Sequence, residues 1–354
     1  MARHPVPEVI ATILPAAASK RQLPRNFDER DRSLFQHELE HDIPPTYLLK
    51  FHDVLVSAEG LIVKGLKLLP ESFAYPFELD EWKRSSIAKL LATNYFLRRR
   101  RAIETEVLWI TDYWSKGYFH WLTDALPRLF VMRERLDQLT LMLPWEFETR
   151  EFVAASLDAF GVKNVDFIKQ NEVLECRSLL MPTHTAPSGH FREETIRGVR
   201  EILLSAFGNS QEQDTTDRIY ITRRGAGKRR IANEQEIVPV LDRQGFQVIC
   251  AEDLTFEQQV RLASQTRYLV SNHGAGFANM LFMPAGGRVL ELRHRTDYVN
   301  NCYFVMSSAL DLNYFYQLCE PQGQTDPHTA DLIVNPQELE RSLSRLLETD
   351  GFSE

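Results

Sequence analysis

YLVSNHGAGFANMLFMP (268–284) runs from a short apolar segment into His-Gly-Ala-Gly and out into a second apolar segment. The first reads as a buried parallel strand, and NMLFM as the start of a helix. HGAG then fills the turn beyond the carboxyl end of a strand, the edge at which open α/β sheets bind ligands. Glycines there let a backbone come close to a ligand, and a helix N-terminus offers unpaired N–H groups to a phosphate. A glycine turn braced by a hydrogen-bonded His273 reads equally well from this spacing. It is not a dinucleotide fingerprint, since Asn279 stands where the third glycine of GxGxxG would fall.

Working outward, the flanking segments alternate in the same way. The pattern predicts strands at 217–223, 246–252, 266–272 and 287–293, and helices at 233–245, closed by Gly245, and 255–265, with Thr255 as N-cap. This is a Rossmann-like α/β domain spanning about 120 residues. Upstream, 46–65 reads as two strands around a Glu-Gly turn, 81–92 as helical, and 104–112, 139–144 and 165–169 as strands. Helices are expected at 118–137, bent at Pro127, at 151–162, closed by Gly161, and at 192–207. That alternation suggests βαβ units and a parallel sheet here too. GNSQEQDTTD (208–217) has no large apolar residue and reads as the linker. The expected domains are 1–207, 208–330, and a C-terminal helical segment 331–354.

Composition narrows the class. In 354 residues, 44% hydrophobic and 25% charged content suits a globular protein. No apolar run is long enough for a membrane-spanning helix. Net charge of −8 disfavours a nucleic-acid binder. Cys176, Cys250, Cys302 and Cys319 form no CxxC pair, which argues against a zinc site or disulfide framework and suits a reducing cytoplasm.

Three further patterns carry chemistry. YITRRGAGKRRIANEQE (220–236) fails as a Walker loop, because Lys228 is followed by Arg229 and not by Ser or Thr. It leaves a loop with Arg223, Arg224, Lys228, Arg229 and Arg230, leading to a helix capped near Asn233. Forked guanidinium donors match phosphate oxygens, although a solvated basic loop has the same composition. In GYFHWLTDALPRL (117–129), His120 and Asp124 are four apart and share a helix face. Such a pair can act as a general base, with either group accepting the proton. In RVLELR (288–293), Glu291 stands near the end of a strand, where a carboxylate could hold sugar hydroxyls or simply face solvent.

These segments, in this order, resemble glycosyltransferase family 61 over residues 104–293. The resemblance implies a GT-B-like α/β fold of two Rossmann-like domains facing a central cleft, with a C-terminal segment packing back on the first. It implies inverting, metal-independent transfer from a nucleotide-sugar donor to a glycan or other hydroxyl acceptor, with no further cofactor. Carried over by position, His120 and Asp124 match the family's His-x-x-x-acid pattern, and Arg223, Arg230, Asn233 and Glu234 its arginine loop and following helix. His273, Gly274, Ala275, Gly276 and Asn279 match its HGAG motif, while Gly117 stands where the family often has asparagine. With Arg229 and Glu291 added from the patterns above, these residues make up the expected site. The expected setting is surface-polysaccharide or glycoconjugate synthesis in a bacterial cytoplasm, peripheral to the inner membrane if membrane is touched at all. A non-catalytic nucleotide-sugar binder and a sugar-nucleotide epimerase or oxidoreductase are the rival readings.

Overall fold

The computed structural model describes residues 7–65, 67–75, 77–80, 95, 97–208, 217–323 and 326–348. The helix expected at 81–92 and most of the linker expected at 208–217 lie outside them. The chain forms two compact units, one of Met1–Ala18 with Asp42–Ile202 and one of Ser19–His41 with Leu203–Glu354. Residues 19–41, read from sequence as part of the first domain, thus belong to the second unit.

The described strands are β1 (Glu8–Leu14), β2 (Ala17–Lys20), β3 (Glu40–Ile43), β4 (Thr46–Ser57), β5 (Ile62–Lys64), β6 (Lys67–Leu68), β7 (Arg99–Ile103), β8 (Val107–Leu108), β9 (Thr140–Pro144), β10 (Val165–Ile168) and β11 (Glu172–Pro182). They continue with β12 (Arg218–Thr222), β13 (Gln247–Cys250), β14 (Tyr268–Asn272), β15 (Arg288–His294), β16 (Asn313–Gln322) and β17 (Asp331–Ile333). A separate two-stranded sheet pairs β2 with β3.

The first unit holds a sheet of order β10-β9-β8-β11-β4-β5-β6, with β1 on β4 and β7 on β11. Its β8, β9, β10 and β11 run parallel, but β4 lies antiparallel to β11 along nine residue pairs. The expectation of a purely parallel, Rossmann-like first domain is corrected by this mixed sheet. Two contacts make it mixed: β4 and β5 pair antiparallel as a local hairpin, and β4 pairs antiparallel with β11 from far along the chain. Val54, Val56, Trp109, Met142, Leu174 and Leu179 fill one core of this unit.

The second unit is the Rossmann-like one. Its sheet runs β13-β12-β14-β15-β16-β17, parallel throughout except at β17. Thr255 caps the helix Phe256–Gln265 through a reciprocal capping box with Gln258. Gly245 closes the helix Glu234–Arg243 at φ 78°, a left-handed position that glycine occupies without strain. The helix Pro336–Leu347 buries Leu339, Leu343 and Leu346 in the core that also contains Ile237, Leu241 and Leu290. The C-terminal helix therefore belongs to the second unit's own core, not to the first domain as expected, because its apolar stripe is spent there. No helix among the described residues is long and apolar enough to cross a membrane.

Candidate active site

In the second unit the arginine loop follows β12 and HGAG follows β14, two adjacent parallel strands, so both leave the same carboxyl edge. Their contact is intimate. Arg223 lies against Gly274 so closely that a Cβ there would stand 1.9 Å from Nη1. Gly274 is extended, at φ 174°, so glycine is required by this approach and not by backbone strain. Arg223 Nε and Nη2 donate to the carbonyls of Arg229 and Lys228, each at 3.2 Å. The Arg229 carbonyl also accepts from Asn272 Nδ2 at 2.5 Å, and Arg229 itself stands at φ 55°, a conformation uncommon outside glycine. Burial first, and then the charge of Arg229, lower the Arg223 pKa. Among the described residues, neither Arg223 nor Arg229 has an ion-pairing carboxylate, and Arg229 Nε is buried without a hydrogen-bond partner. The charges of Glu252 and Asp331 reach Arg223 without an ion pair to it, so the two guanidiniums keep donors that an anion could use.

Arg230 is placed differently. Its backbone N–H and guanidinium bind Asp331, with Nη2 at 2.9 Å. Burial would raise the Asp331 carboxyl, but the Arg230 bonds outweigh it and hold it below the usual range. Asn233 precedes the expected helix, yet its side chain exchanges hydrogen bonds with the backbone of Val334 instead of capping. Asn279 is buried and donates to Gln259 Oε1 at 2.9 Å. Ala275 and Gly276 open a 3-10 helix, Ala275–Phe282, where an α-helix was expected from Asn279 onward.

Glu291 is fully buried, which corrects its reading as a carboxylate open to sugar hydroxyls. Its Oε1 accepts from His273 Nδ1 at 2.6 Å, and its Oε2 accepts from the Tyr314 hydroxyl. With Nδ1–H spent on Glu291, His273 presents Nε2, 4.0 Å from Cys302 Sγ. Burial pushes the Cys302 thiol well up, so it is a neutral neighbour and not a thiolate. Tyr303 stacks edge-on to His273 and donates to the Gly274 carbonyl at 2.5 Å.

The first unit holds a second histidine–carboxylate pair. Asp124 lies in a π-helical turn, Trp121–Ala125, in which Leu126 N–H reaches back to the Trp121 carbonyl. Pro127 has no N–H for an α-type bond to Thr123, and the chain widens by one residue ahead of it. The turn aims Asp124 Oδ2 at His120 Nδ1, 2.8 Å away, and Ser188 Oγ donates to the same oxygen at 2.8 Å. The Asp124 side chain is only 2% exposed, the His120 side chain 21%. His120 Nε2 has no hydrogen-bond partner among the described residues, so the accessible basic atom of the pair is on the imidazole. Burial pulls the His120 pKa down, but the bond to Asp124 and its charge prevail and the value is raised.

Next to this pair, Asp112, Asp124 and His184 bring potential metal-ligating atoms within 4.8 Å of one another. Arg128 occupies the cluster: Nη2 donates to His184 Nδ1 at 3.0 Å, and Nη1 lies 3.7 Å from Asp112. His184 Nε2 then donates to Asp112 at 2.8 Å, so both ring nitrogens are in use. Burial would raise Asp112, but His184 and Arg128 hold its carboxyl well below the usual range. The donor set serves an internal ion-pair network. Ser188, His184, Asp112 and Arg128 were not found from sequence. The break in periodicity at PTHTAPSGHFR (182–192) was the one signal for Ser188 and His184.

A family profile described as Glycosyltransferase 61 matches residues 118–290. An EGF domain-specific O-linked N-acetylglucosamine transferase of Drosophila melanogaster is 33% identical over 98 residues, 27% of this chain and 18% of that protein. A human protein O-linked-mannose beta-1,4-N-acetylglucosaminyltransferase 2 is 38% identical over 97 residues, 24% of this chain and 16% of that protein. A rice (Oryza sativa subsp. japonica) beta-1,2-xylosyltransferase XAX1 is 23% identical over 219 residues, 55% of this chain and 38% of that protein. The chain thus spans well under half the length of these relatives. Over residues 118–290, which contain His120, Asp124 and His273, the chain is similar to glycosyltransferase family 61.

Proposed function

We propose that this protein is an inverting glycosyltransferase of GT-B type, binding a nucleotide sugar through its second unit and activating a hydroxyl acceptor through its first. The observation that carries the donor half is the pair Arg223–Arg229, neither of them ion-paired among the described residues, beside His273 on the carboxyl edge of a parallel sheet. A nucleoside diphosphate is the anion that such an edge, with forked donors, suits best. In the transfer step His120 Nε2 takes the acceptor O–H proton, and the acceptor oxygen bonds to the anomeric carbon from the face opposite the leaving group. The bond from that carbon to the diphosphate oxygen breaks, and its electron pair leaves with the diphosphate. Arg223 and Arg229 stabilise that charge, a task that fixed cations perform without a metal ion. Asp124 orients His120 and stabilises the imidazolium as it forms. This chooses His120 over Asp124 as the proton acceptor, on the ground that Asp124 is enclosed.

For the setting we propose polysaccharide or glycoconjugate synthesis in a reducing compartment such as a bacterial cytoplasm, with which four unpaired cysteines agree. A thermal-shift screen of UDP, GDP, CMP and dTDP sugars tests the donor half, since a ligand that binds the native state raises Tm. Release of free sugar from the stabilising donor, lost in His120→Ala, separates an enzyme from a binding protein. No shift with any of the four classes would defeat the proposal.

A further inference from the structure

A row of aromatic rings leads away from His120 inside the first unit. Trp114 meets the His120 ring edge-on at 4.9 Å between centroids, and Tyr75 meets Trp114 edge-on at 5.3 Å. Phe77 lies nearly parallel to Tyr75, at 5.5 Å and 22°. His120, Trp114 and Tyr75 are all half-buried, and Phe77 is 56% exposed, so the row runs from a half-buried base to an exposed ring. Phe77 is the one large exposed aromatic side chain among the described residues of this unit.

The row is held at fixed orientation by the polar groups that hold the base. The Tyr75 hydroxyl donates to the Ser188 carbonyl at 2.9 Å, and Ser188 Oγ donates to Asp124. The Trp114 indole N–H donates to the buried Glu78, whose other oxygen accepts from the Tyr75 backbone N–H at 3.1 Å. Rings that served packing alone would bury their faces. Here four rings in contact stay partly open, end on an exposed face, and begin at a proton acceptor.

We propose that Phe77, Tyr75 and Trp114 form the acceptor subsite, and that the acceptor is a pyranose-containing glycan, one ring of which stacks its C–H face on the Phe77–Tyr75 end while a hydroxyl of a neighbouring ring reaches His120 Nε2. A pyranose has the required character: an apolar C–H face for aromatic contact and rim hydroxyls for hydrogen bonding. An extended peptide lacks that flat apolar face. This rests on the transferase reading and adds the acceptor class to it.

Saturation-transfer NMR on the full chain tests it with methyl β-D-glucopyranoside, methyl β-D-xylopyranoside and methyl α-D-mannopyranoside. At least one is expected to receive saturation at its ring C–H protons. Phe77→Trp should keep that signal and Phe77→Ser should weaken binding roughly tenfold, with unchanged melting of both variants. Equal signals in wild type and Phe77→Ser overturn the subsite, as does stronger saturation of a Ser/Thr peptide than of every pyranoside. If no pyranoside binds while UDP or GDP still does, this proposal fails alone. If neither binds, the transferase reading fails with it.

Discussion

Arg223 covers Gly274 at a distance that leaves no room for a methyl group, a Cβ there falling 2.4 Å from Cζ and 1.9 Å from Nη1. A loop after one strand and a turn after its neighbour are thereby locked together. The same contact leaves Arg230 outside, bound to Asp331.

That division predicts unequal arginines. Arg223→Ala should weaken nucleoside diphosphate binding by about 1.5–3 kcal/mol, roughly tenfold to a hundredfold. Arg230→Ala should release Asp331 and change affinity much less. Isothermal titration with the diphosphate of the donor that shifts Tm measures both, and an equal or larger loss in the Arg230 variant would contradict the assignment.

Gly274→Ala should act through its neighbour. The backbone at φ 174° accepts alanine without strain, so the cost falls on Arg223, whose guanidinium must move. Diphosphate affinity should drop towards that of Arg223→Ala, while far-UV circular dichroism stays unchanged. A variant with full affinity would show that Arg223 acts from elsewhere.

Asp124→Asn should keep donor binding and lower kcat by about 10²–10⁴, the usual worth of an oriented general base. The pH profile separates orientation from folding. Because the folded pKa of His120 is raised, the neutral imidazole needed as base accumulates only as pH rises through that raised value. The stability from the same pair runs the opposite way. It is fully present below the unfolded histidine value of about 6.5 and is lost as pH rises through the folded one. In Asp124→Asn the acid limb of the rate profile should move to lower pH, because the group that raised the pKa is gone. A limb that stays in place would remove His120 as the titrating base.

Leu343→Ala should cost about 2–5 kcal/mol, since its side chain is wholly buried in the second unit's core. The exposed Arg341, two residues back and so on the opposite face, should tolerate alanine with little change in Tm. Chemical denaturation of the two variants reads this directly.

In the second unit β12 to β15 were legible because they are short apolar runs between glycine stops and a capping box, all local signals, whereas β16 and β17 were not read. The mixed sheet of the first unit was not. β11 has no turn residues of its own to announce it, and its antiparallel partner lies more than a hundred residues upstream. At the site, His120–Asp124 and the Arg223 loop could be read because spacing or charge density marks them. Glu291 was misread because one carboxylate in an apolar strand looks the same whether it faces solvent or a histidine. Its partners, His273 and Tyr314, are eighteen and twenty-three positions away. The ring row could not be foreseen either, since Tyr75 and Trp114 meet only through the fold.

On the proposed mechanism, the π-helical turn at Trp121–Ala125 makes the length of this segment part of the chemistry. Removing a single residue from it would return the chain to 3.6 residues per turn and swing His120 by about 100° relative to the helix that follows. Any homologous chain that keeps both the histidine and the acid but lacks the widened turn would aim its imidazole elsewhere. A gap of one residue in an alignment here would therefore mark a change of acceptor geometry more reliably than a change of side chain would.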